Sequence, residues 1–559
     1  MRVPYAIRRC IADTLVDMTS VILASLFFIF VTTHTNAVSE HSVPQNQREM
    51  VGYAPRGLVE RPIGLLQGVG MLHDPATTSS KDAQAFYDQG MSLVMSYQWI
   101  DAARSFHQAL RLDPRLAMAW LGLSDAYYSL QDIDGAKDAH VKAANFTDQV
   151  SERERRRIEI RARQLDFMAQ PQNAQKYGAW RKAIEDAIAA DPADPMLWLL
   201  RGMAEEGTPY GHGQGGGVTS IALYEAVLAR SPDNFVAHHY LAHTYENLGR
   251  MQEALIQVEA YERLAPAIPH AHHMVGHILR RIGRNVEAIQ QFLESDRLEN
   301  AYIAAEHIAP GLDWHYAHNQ SLLGLSYQYE GELKLAEASL KIAFPLPTYV
   351  DLGEFNRKDW PEFLVESGRS AEAVAAADDV SKSRSGMGRA AGHTLAGRVA
   401  LALRNTEKAQ TELAAAEQAL QAMNNSTPFV PYVEALRGEI LLKQGQAAQG
   451  TQVLKQLEPA MRLLSGPDEW TGTLFLLEYI FNAARASDAW DLAGFTAAQM
   501  AEHDPYYGGT HYALGILAEH KQDAAGARRE FAEAERAWAH ADPSFPPLID
   551  VRKKLAGIK

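Results

Sequence analysis

Apolar residues recur along the chain at the three- and four-residue spacing of amphipathic helices, and this pattern returns about every 34 residues. The first copy is marked by Phe86, Gly90, Ala102, Phe106 and Pro114. Small residues such as Ala102 fit where two paired helices cross, and large ones such as Phe86 fill the gap between pairs. Proline ends the second helix because it cannot continue the hydrogen-bond ladder. The pattern therefore predicts a series of helix pairs.

The same phase returns further along the chain, from Phe235, from Pro269 and again after an insertion near residues 303–316. A fainter array continues through residues 351–500, and the pattern sharpens once more between Tyr512 and Ala534. No long segment alternates between apolar and polar residues as a half-buried strand would. Stacked helix pairs bury a continuous core that no single pair could bury. The sequence thus predicts an all-α solenoid.

This spacing resembles that of the tetratricopeptide repeat superfamily across roughly residues 82–540. The resemblance implies a right-handed superhelical solenoid in which the first helix of each pair lines a concave groove. We expect an N-terminal array at residues 81–345 and a more divergent C-terminal array at residues 346–559. The groove would accept a small molecule or a peptide.

The beginning of the chain has the features of a targeting segment. Arg2, Arg8 and Arg9 precede an apolar run at residues 21–31, and small residues follow at 35–37. The run is too short to span a bilayer comfortably. We expect residues 1–37 to be a signal peptide or a membrane anchor, so that the protein is exported and lies in the periplasm or on the inner membrane.

The composition and charge of the chain limit its partners and its metal ligands. The formal net charge of −15 disfavours a nucleic-acid partner, and contact with a membrane is expected only through the N-terminal segment. The single cysteine, Cys10, lies inside that segment, so a processed chain would have neither disulfides nor thiolate ligands. Residues 38–80 are rich in proline, glycine, serine and glutamine and read as a linker.

Histidines are concentrated in one part of the repeats. In a tetratricopeptide repeat, the second, fifth and ninth positions of the first helix face the groove. Counted from Phe235, Pro269 and Ala317, six histidines take these positions: His239, His243, His270, His273, His277 and His318. His238 and His272 fall at a position that packs between helices, and we interpret them as core residues.

The six histidines point to a metal centre. Residues four apart lie one helical turn apart on the same face, and imidazoles from adjacent helices can reach each other. Neutral imidazoles suit copper, zinc and iron, whereas magnesium and calcium prefer oxygen ligands. We rank copper first, bound as one ion or as two, and take Glu205, Glu206, His212 and Asn319 as candidate supporting residues.

Residues 235–331 are similar to a narrower family of tetratricopeptide repeat proteins. That family carries an H-x3-H, then an H-x2-H-x3-H, and later a His-Asn pair. Here these are His239/His243, His270/His273/His277 and His318-Asn319. The usual Phe-Asn-His before the second helix of the first repeat is replaced by residues 97–99, Tyr-Gln-Trp.

Three functions are compatible with these features. The chain could be an exported metalloprotein with a multi-histidine centre of one ion or two coppers; if it is an enzyme, we favour a metal-dependent oxidoreductase. It could be an interaction scaffold of the cell envelope, in which the histidines bind peptide groups. It could also store or deliver metal without catalysis.

Overall fold

Helices make up most of the structure, which is a computed structural model. It describes residues 49–207, 212–347, 349, 356–425, 429–463 and 468–558. Within these ranges the only strands are Met50–Val51 and Ala54–Pro55, which pair with each other in antiparallel orientation. The predicted all-α fold is confirmed. The predicted export segment, residues 1–37, lies outside the described residues.

The chain divides into two compact units, Met1–Val275 and Gly276–Lys559, whereas the sequence predicted a boundary between two arrays at residue 345. The helices of the first unit are α1 (Arg56–Val59), α2 (Lys81–Val94), α3 (Trp99–Leu112), α4 (Ala117–Ser129), α5 (Ile133–Ala144), α6 (Glu152–Met168), α7 (Ala174–Ala190), α8 (Pro195–Ala204), α9 (Val218–Leu228), α10 (Phe235–Asn247), α11 (Met251–Leu264) and the first part of α12 (Pro269–Arg281). A 3-10 turn at Thr147–Gln149 precedes α6.

The second unit continues the series of helix pairs. Its further helices are α13 (Asn285–Glu306), α14 (Trp314–Glu330), α15 (Leu333–Ala343), α16 (Asp359–Glu366), α17 (Ser370–Ser381), α18 (Gly386–Ala402), α19 (Thr406–Gln421), α20 (Val430–Lys443), α21 (Ala447–Gln456), α22 (Glu458–Leu463), α23 (Trp470–Ala486), α24 (Trp490–His503), α25 (Gly508–His520), α26 (Ala524–Ala537) and α27 (Pro546–Gly557). In both units, helices that follow each other in sequence pack against each other.

A glycine facing an aromatic ring brings the two helices of a pair together. A Cβ atom added to Gly90 on α2 would lie 2.5 Å from the ring of Phe106 on α3. Gly515 on α25 and Phe531 on α26 repeat this arrangement at 2.5 Å in the second unit. Both phenylalanines are fully buried. The periodic glycines of the sequence are therefore positions of close helix approach.

The predicted insertion near residues 303–316 is mostly helical. Helix α13 runs through to Glu306, because no glycine or proline interrupts residues 286–306, and ends where His307 adopts a φ of 53°. A 3-10 turn at Pro310–Leu312 then leads into α14. The insertion is thus a lengthened helix followed by a short turn.

The described part of the predicted linker, residues 49–80, belongs to the first unit and packs onto its helices. The side chains of Val51 and Val59 are fully buried. The amide of Tyr53 donates to the carbonyl of Leu130 at 3.2 Å. Scattered apolar residues thus anchor this segment to the neighbouring helices.

The same segment reaches the turn before α12. The Gly68 carbonyl accepts a hydrogen bond of 2.8 Å from the amide of Ala267. A Cβ atom at Gly70 would lie 2.6 Å from the ring of Phe235. The segment therefore links the first repeat to the helices that carry the histidines of the first unit. None of the helices in the described ranges combines the length and apolar character that a membrane span needs.

Candidate metal centre

Two helix starts position the histidines of the first unit. Helix α10 begins after Asn234, whose side chain accepts a hydrogen bond of 3.0 Å from the amide of Ala237 and caps the helix. His239 and His243 then lie one turn apart on one face of α10. His270 is the second residue of α12. The three histidines are 0%, 5% and 3% exposed, respectively.

His239, His243 and His270 converge, and we call them the triad. Nε2 of His239 lies 3.2 Å from Nε2 of His243 and 3.1 Å from Nε2 of His270. The three histidines each offer one nitrogen within 4.8 Å of the other two. Nitrogens bound at about 2.0 Å around a tetrahedral ion are about 3.3 Å apart. The spacing of the triad therefore suits a single metal ion.

The other ring nitrogen of His239 fixes its protonation pattern. Nδ1 of His239 lies 3.1 Å from the carbonyl oxygen of Met95. A carbonyl can only accept, so Nδ1 carries the proton and the Nε2 lone pair faces the other two imidazoles. Metal-binding histidines usually make such an outer hydrogen bond, which orients the ring.

The turn between α2 and α3 covers the triad. The ring centroid of Tyr97 lies 4.9 Å from that of His239 and 4.8 Å from that of His270. Tyr97 is 2% exposed and has a φ of 64°, which is unfavourable for a bulky residue. The sequence marked residues 97–99 as a departure from the narrower family, and sequence reasoning did not connect this turn with the triad.

Burial sets the charge of the triad. Desolvation lowers the pKa of His239 well below its usual value, and the neighbouring His243 lowers it further, whereas the hydrogen bond to Met95 opposes this change. Desolvation also raises the pKa of Tyr97 well above its usual value. The site therefore presents a neutral imidazole and a neutral phenol at pH 7, and no proton occupies the Nε2 lone pair of His239.

The predicted supporting residues take different places. His212 lies beside the covering turn: its carbonyl accepts a 2.6 Å hydrogen bond from the Tyr97 hydroxyl. Glu206 is 5% exposed, and its charge contributes to raising the pKa of Tyr97. Glu205 instead forms ion pairs with Arg181, at 2.8 Å, and with Arg201.

A second group of buried histidines follows in the described part of the chain. His277 on α12 and His318 on α14 belong to the second unit, with ring centroids 6.4 Å apart. His273 precedes His277 by one turn of α12, and all three are at most 5% exposed. Oδ1 of Asp468 lies 3.2 Å from Nε2 of His318 and 3.7 Å from Nε2 of His277.

Asp468 is a functional candidate that sequence reasoning missed. It lies 150 residues beyond His318, in a turn with no motif to mark it. Burial tends to raise the pKa of its carboxyl, but the hydrogen bond from His318 and the charges of His318, His277 and Arg280 hold it below the usual range. Asp468 therefore places an ionised oxygen ligand beside two imidazoles.

Two other polar residues near His318 pair with other groups of the protein. The side-chain amide of Asn319, a predicted supporting residue, donates to the Phe292 carbonyl at 3.0 Å. His315 pairs with the fully buried Glu299. Burial raises the pKa of Glu299 and lowers that of His315, so it favours the neutral form of each group.

His272 is buried, as predicted for a core residue of the repeat, whereas His238 is half-buried. The ring of His238 bonds to the side chain of Gln257 at 2.7 Å and to the carbonyl of Pro232 at 2.9 Å. Nε2 of His272 bonds to the Pro266 carbonyl at 3.0 Å. These histidines hold neighbouring helices and turns together, which makes His238 a suitable control for the triad.

Comparison with known families identifies the repeats. Residues 87–146, from α2 to α5, match a family model described as tetratricopeptide repeat. Residues 223–256, which include α10, match another model with the same description. The chain contains tetratricopeptide repeats. The narrower family with histidine motifs stays a prediction.

Solved structures that resemble this tetratricopeptide repeat protein include three with low sequence identity. They are a tetratricopeptide repeat protein from Parabacteroides merdae (17% identity, 47% of this chain and 92% of that chain, TM-score 0.33), the Cut9–Hcn1 hetero-tetramer of APC/C (12%, 85% and 83%, 0.32) and yeast Tom70 (14%, 85% and 95%, 0.32). No curated protein is significantly similar to the chain. These likenesses assign no role to any residue.

Glu206 is expected to make the stability of the tetratricopeptide repeat protein depend on pH. Burial raises the pKa of Glu206 from 4.5 to about 8, although the amides of Gly215 and Gly213 oppose this change. The folded state thus keeps a proton that the unfolded chain releases, so the free energy of unfolding falls as pH rises from about 4.5 to 8. Glu206→Gln should remove this loss. The difference in free energy of unfolding between the variant and the unmodified chain should therefore shift in favour of the variant by roughly 2–5 kcal/mol from pH 5 to pH 9.

Denaturant unfolding of both proteins at pH 5, 7 and 9 measures the difference. Glu205→Gln is the matched control, because the neighbouring Glu205 carboxylate lies in ion pairs with Arg181 and Arg201 and its removal should lower stability through their loss. If the free energy of unfolding changed with pH in the same way for Glu206→Gln and the unmodified chain, Glu206 would have to be ionised in the folded state.

Proposed function

We propose that this chain is a metal-binding tetratricopeptide repeat protein whose triad holds one transition-metal ion. The proposal rests on one observation: the Nε2 atoms of His243 and His270 lie 3.2 and 3.1 Å from Nε2 of His239. The Met95 carbonyl leaves His239 Nε2 with a single lone pair, which two hydrogen-bond donors would have to share. One ion that accepts a lone pair from each ring satisfies all three nitrogens.

Copper is our first choice of ion, ahead of zinc and iron. Three neutral imidazoles with neither thiolate nor carboxylate among them suit copper and zinc. Burial of the triad favours an ion of low charge, such as Cu(I), because transfer of charge into a low dielectric is unfavourable. An exported chain would also encounter copper more readily than a cytosolic one. Copper in this position supports an oxidoreductase, with two coppers if the second group of histidines also binds copper.

Elemental analysis of the full chain tests the proposal. The protein is reconstituted separately with copper, zinc and iron, freed of loosely bound ion by gel filtration, and compared with His239→Ala/His243→Ala and with His238→Ala. The double variant is expected to contain one equivalent less metal than the unmodified chain, whereas His238→Ala keeps the full amount. Equal metal content in the double variant and the unmodified chain would contradict the proposal.

Two further measurements separate the functional classes. Oxygen consumption with small reducing substrates distinguishes an oxidoreductase from a storage or delivery protein, whose ion would transfer readily to a chelator without turnover. An oxidoreductase is expected to lose its oxygen consumption in the double variant.

An interaction scaffold is the second candidate. Tetratricopeptide repeats at residues 87–146 and 223–256 favour it, since such helix stacks offer extended surfaces for protein partners. In that case a partner identified with the unmodified chain would bind equally well after chelation and to His239→Ala/His243→Ala. Loss of the partner under both conditions would instead couple binding to the metal centre.

A further inference from the structure

The second unit holds a carboxylate where two imidazoles meet, and no residue of this cluster belongs to the triad. His277 and His318 lie on successive first helices of repeat pairs, α12 and α14. Asp468 comes from the turn before α23. The same oxygen, Oδ1 of Asp468, approaches Nε2 of His318 at 3.2 Å and Nε2 of His277 at 3.7 Å. Ligands bound at about 2.1 Å are about 3.0 Å apart at right angles and 3.4 Å apart in a tetrahedron.

The hydrogen-bond partners of His318 point to a cation. Its Nδ1 lies 3.1 Å from the side-chain oxygen of Asn356, and its Nε2 lies 3.2 Å from Asp468. Both ring nitrogens therefore face oxygen acceptors. A neutral imidazole has one N–H and can satisfy only one of them, so the position between Nε2 and the carboxylate holds either a second proton, as in an imidazolium, or a cation. An ion between Nε2 and the carboxylate resolves the conflict, with Asn356 as the outer acceptor that orients the ring.

The surroundings suit an ion that enters from solvent. The imidazoles of His277 and His318 are at most 5% exposed, whereas the side chain of Asp468 is 31% exposed. Trp314 stacks parallel to His318, with ring centroids 6.3 Å apart and an interplanar angle of 15°. One side of the cluster is thus fixed by packing, and the carboxylate lies on the accessible side.

We propose that Asp468 joins His277 and His318 as ligands of a second metal ion, and that this ion is Fe(II). Two imidazoles and one carboxylate are a ligand set typical of non-haem Fe(II), whereas all-imidazole sites suit copper. Carboxylate oxygen is a harder ligand than imidazole, so it adds more to the affinity for Fe(II) than to that for Cu(I). The chain would then hold two ions of different kind rather than a pair of coppers.

The experiment uses the full chain with the triad removed by His239→Ala/His243→Ala, so that only the second cluster is measured. Fe(II) and Cu(I) affinities are determined anaerobically by competition with chromophoric chelators. Adding Asp468→Asn to this background is expected to weaken Fe(II) binding about 100-fold and Cu(I) binding less than about 10-fold. Glu469→Gln is the matched control, because the adjacent Glu469 side chain accepts from the Tyr432 hydroxyl at 2.8 Å.

A second substitution keeps the test decisive if Asp468→Asn folds poorly. Asp468→His replaces the oxygen with a nitrogen ligand and is expected to raise the ratio of Cu(I) to Fe(II) affinity at least about 10-fold. Fe(II) binding that is unchanged by Asp468→Asn, or equal losses for the two ions, would overturn the proposal. Because the background lacks the triad, these outcomes are independent of whether the triad itself binds metal.

Discussion

Copper added to the metal-free chain is expected to raise its midpoint of thermal unfolding, and His243→Ala is expected to abolish most of this rise. An ion that binds only the folded state stabilises it by about 4 kcal/mol when its free concentration is 1,000 times the dissociation constant. His243→Ala leaves two imidazoles, one of which, His239, still bonds to Met95. Circular dichroism melts with and without copper, and then with zinc, measure the shift.

His238→Ala is the control for this measurement, because His238 lies next to His239 on α10 and bonds to Gln257 and Pro232 instead. It should lose about 1 kcal/mol of stability through these hydrogen bonds and keep the metal-dependent shift. An equal shift in His243→Ala and His238→Ala would place the stabilising ion outside the triad. The second group of histidines would then be the source of the stabilisation.

The positions of the triad histidines could be derived from the sequence because the repeat has a fixed length. Once Phe235 and Pro269 were taken as helix starts, the groove positions followed by counting, and α10 and α12 begin at these residues. The same count predicted that His238 would pack between helices, and it contacts the turn before its own helix and the side chain of Gln257 on α11. Local periodicity determines which face a residue occupies, so such features are accessible without coordinates.

Contacts between distant segments could not be derived in this way. Met95 and Tyr97 are separated from His239 by more than 140 residues, and only the curvature of the first unit brings them together. Asp468 likewise reaches His318 from a turn that no repeat pattern describes. Residues 49–80 read as a linker because their composition is polar and rich in turns, although a few apolar side chains anchor them.

The two histidine groups therefore differ in a way that sequence alone did not show. Counting by repeat treats the six histidines as equivalent positions in one groove. The structure gives the triad a backbone carbonyl and aromatic rings as neighbours, and gives His277 and His318 an ionised carboxylate. The further ligands and the outer contacts of a set of imidazoles decide which ion it prefers.

Tyr97→Ala is expected to destabilise the fold and to accelerate release of metal from the triad. Removal of a buried aromatic side chain costs about 3–5 kcal/mol, and Tyr97 is 2% exposed. The loss of the ring would admit water to His239 and His270, whose centroids lie 4.9 and 4.8 Å away. Denaturant unfolding and the rate of copper transfer to a chelator measure the two effects.

Tyr97→Phe separates the ring from its hydroxyl. It removes only the hydrogen bond to the His212 carbonyl, at a cost of about 1 kcal/mol, and keeps the ring over the triad. We therefore expect Tyr97→Phe to release copper at the unmodified rate, while Tyr97→Ala releases it at least about 10-fold faster because water and protons reach the imidazole nitrogens. Equal release rates for the two variants would mean that the ring fills space and does not shield the ion. The positive φ of Tyr97 would then be explained by packing of the turn alone.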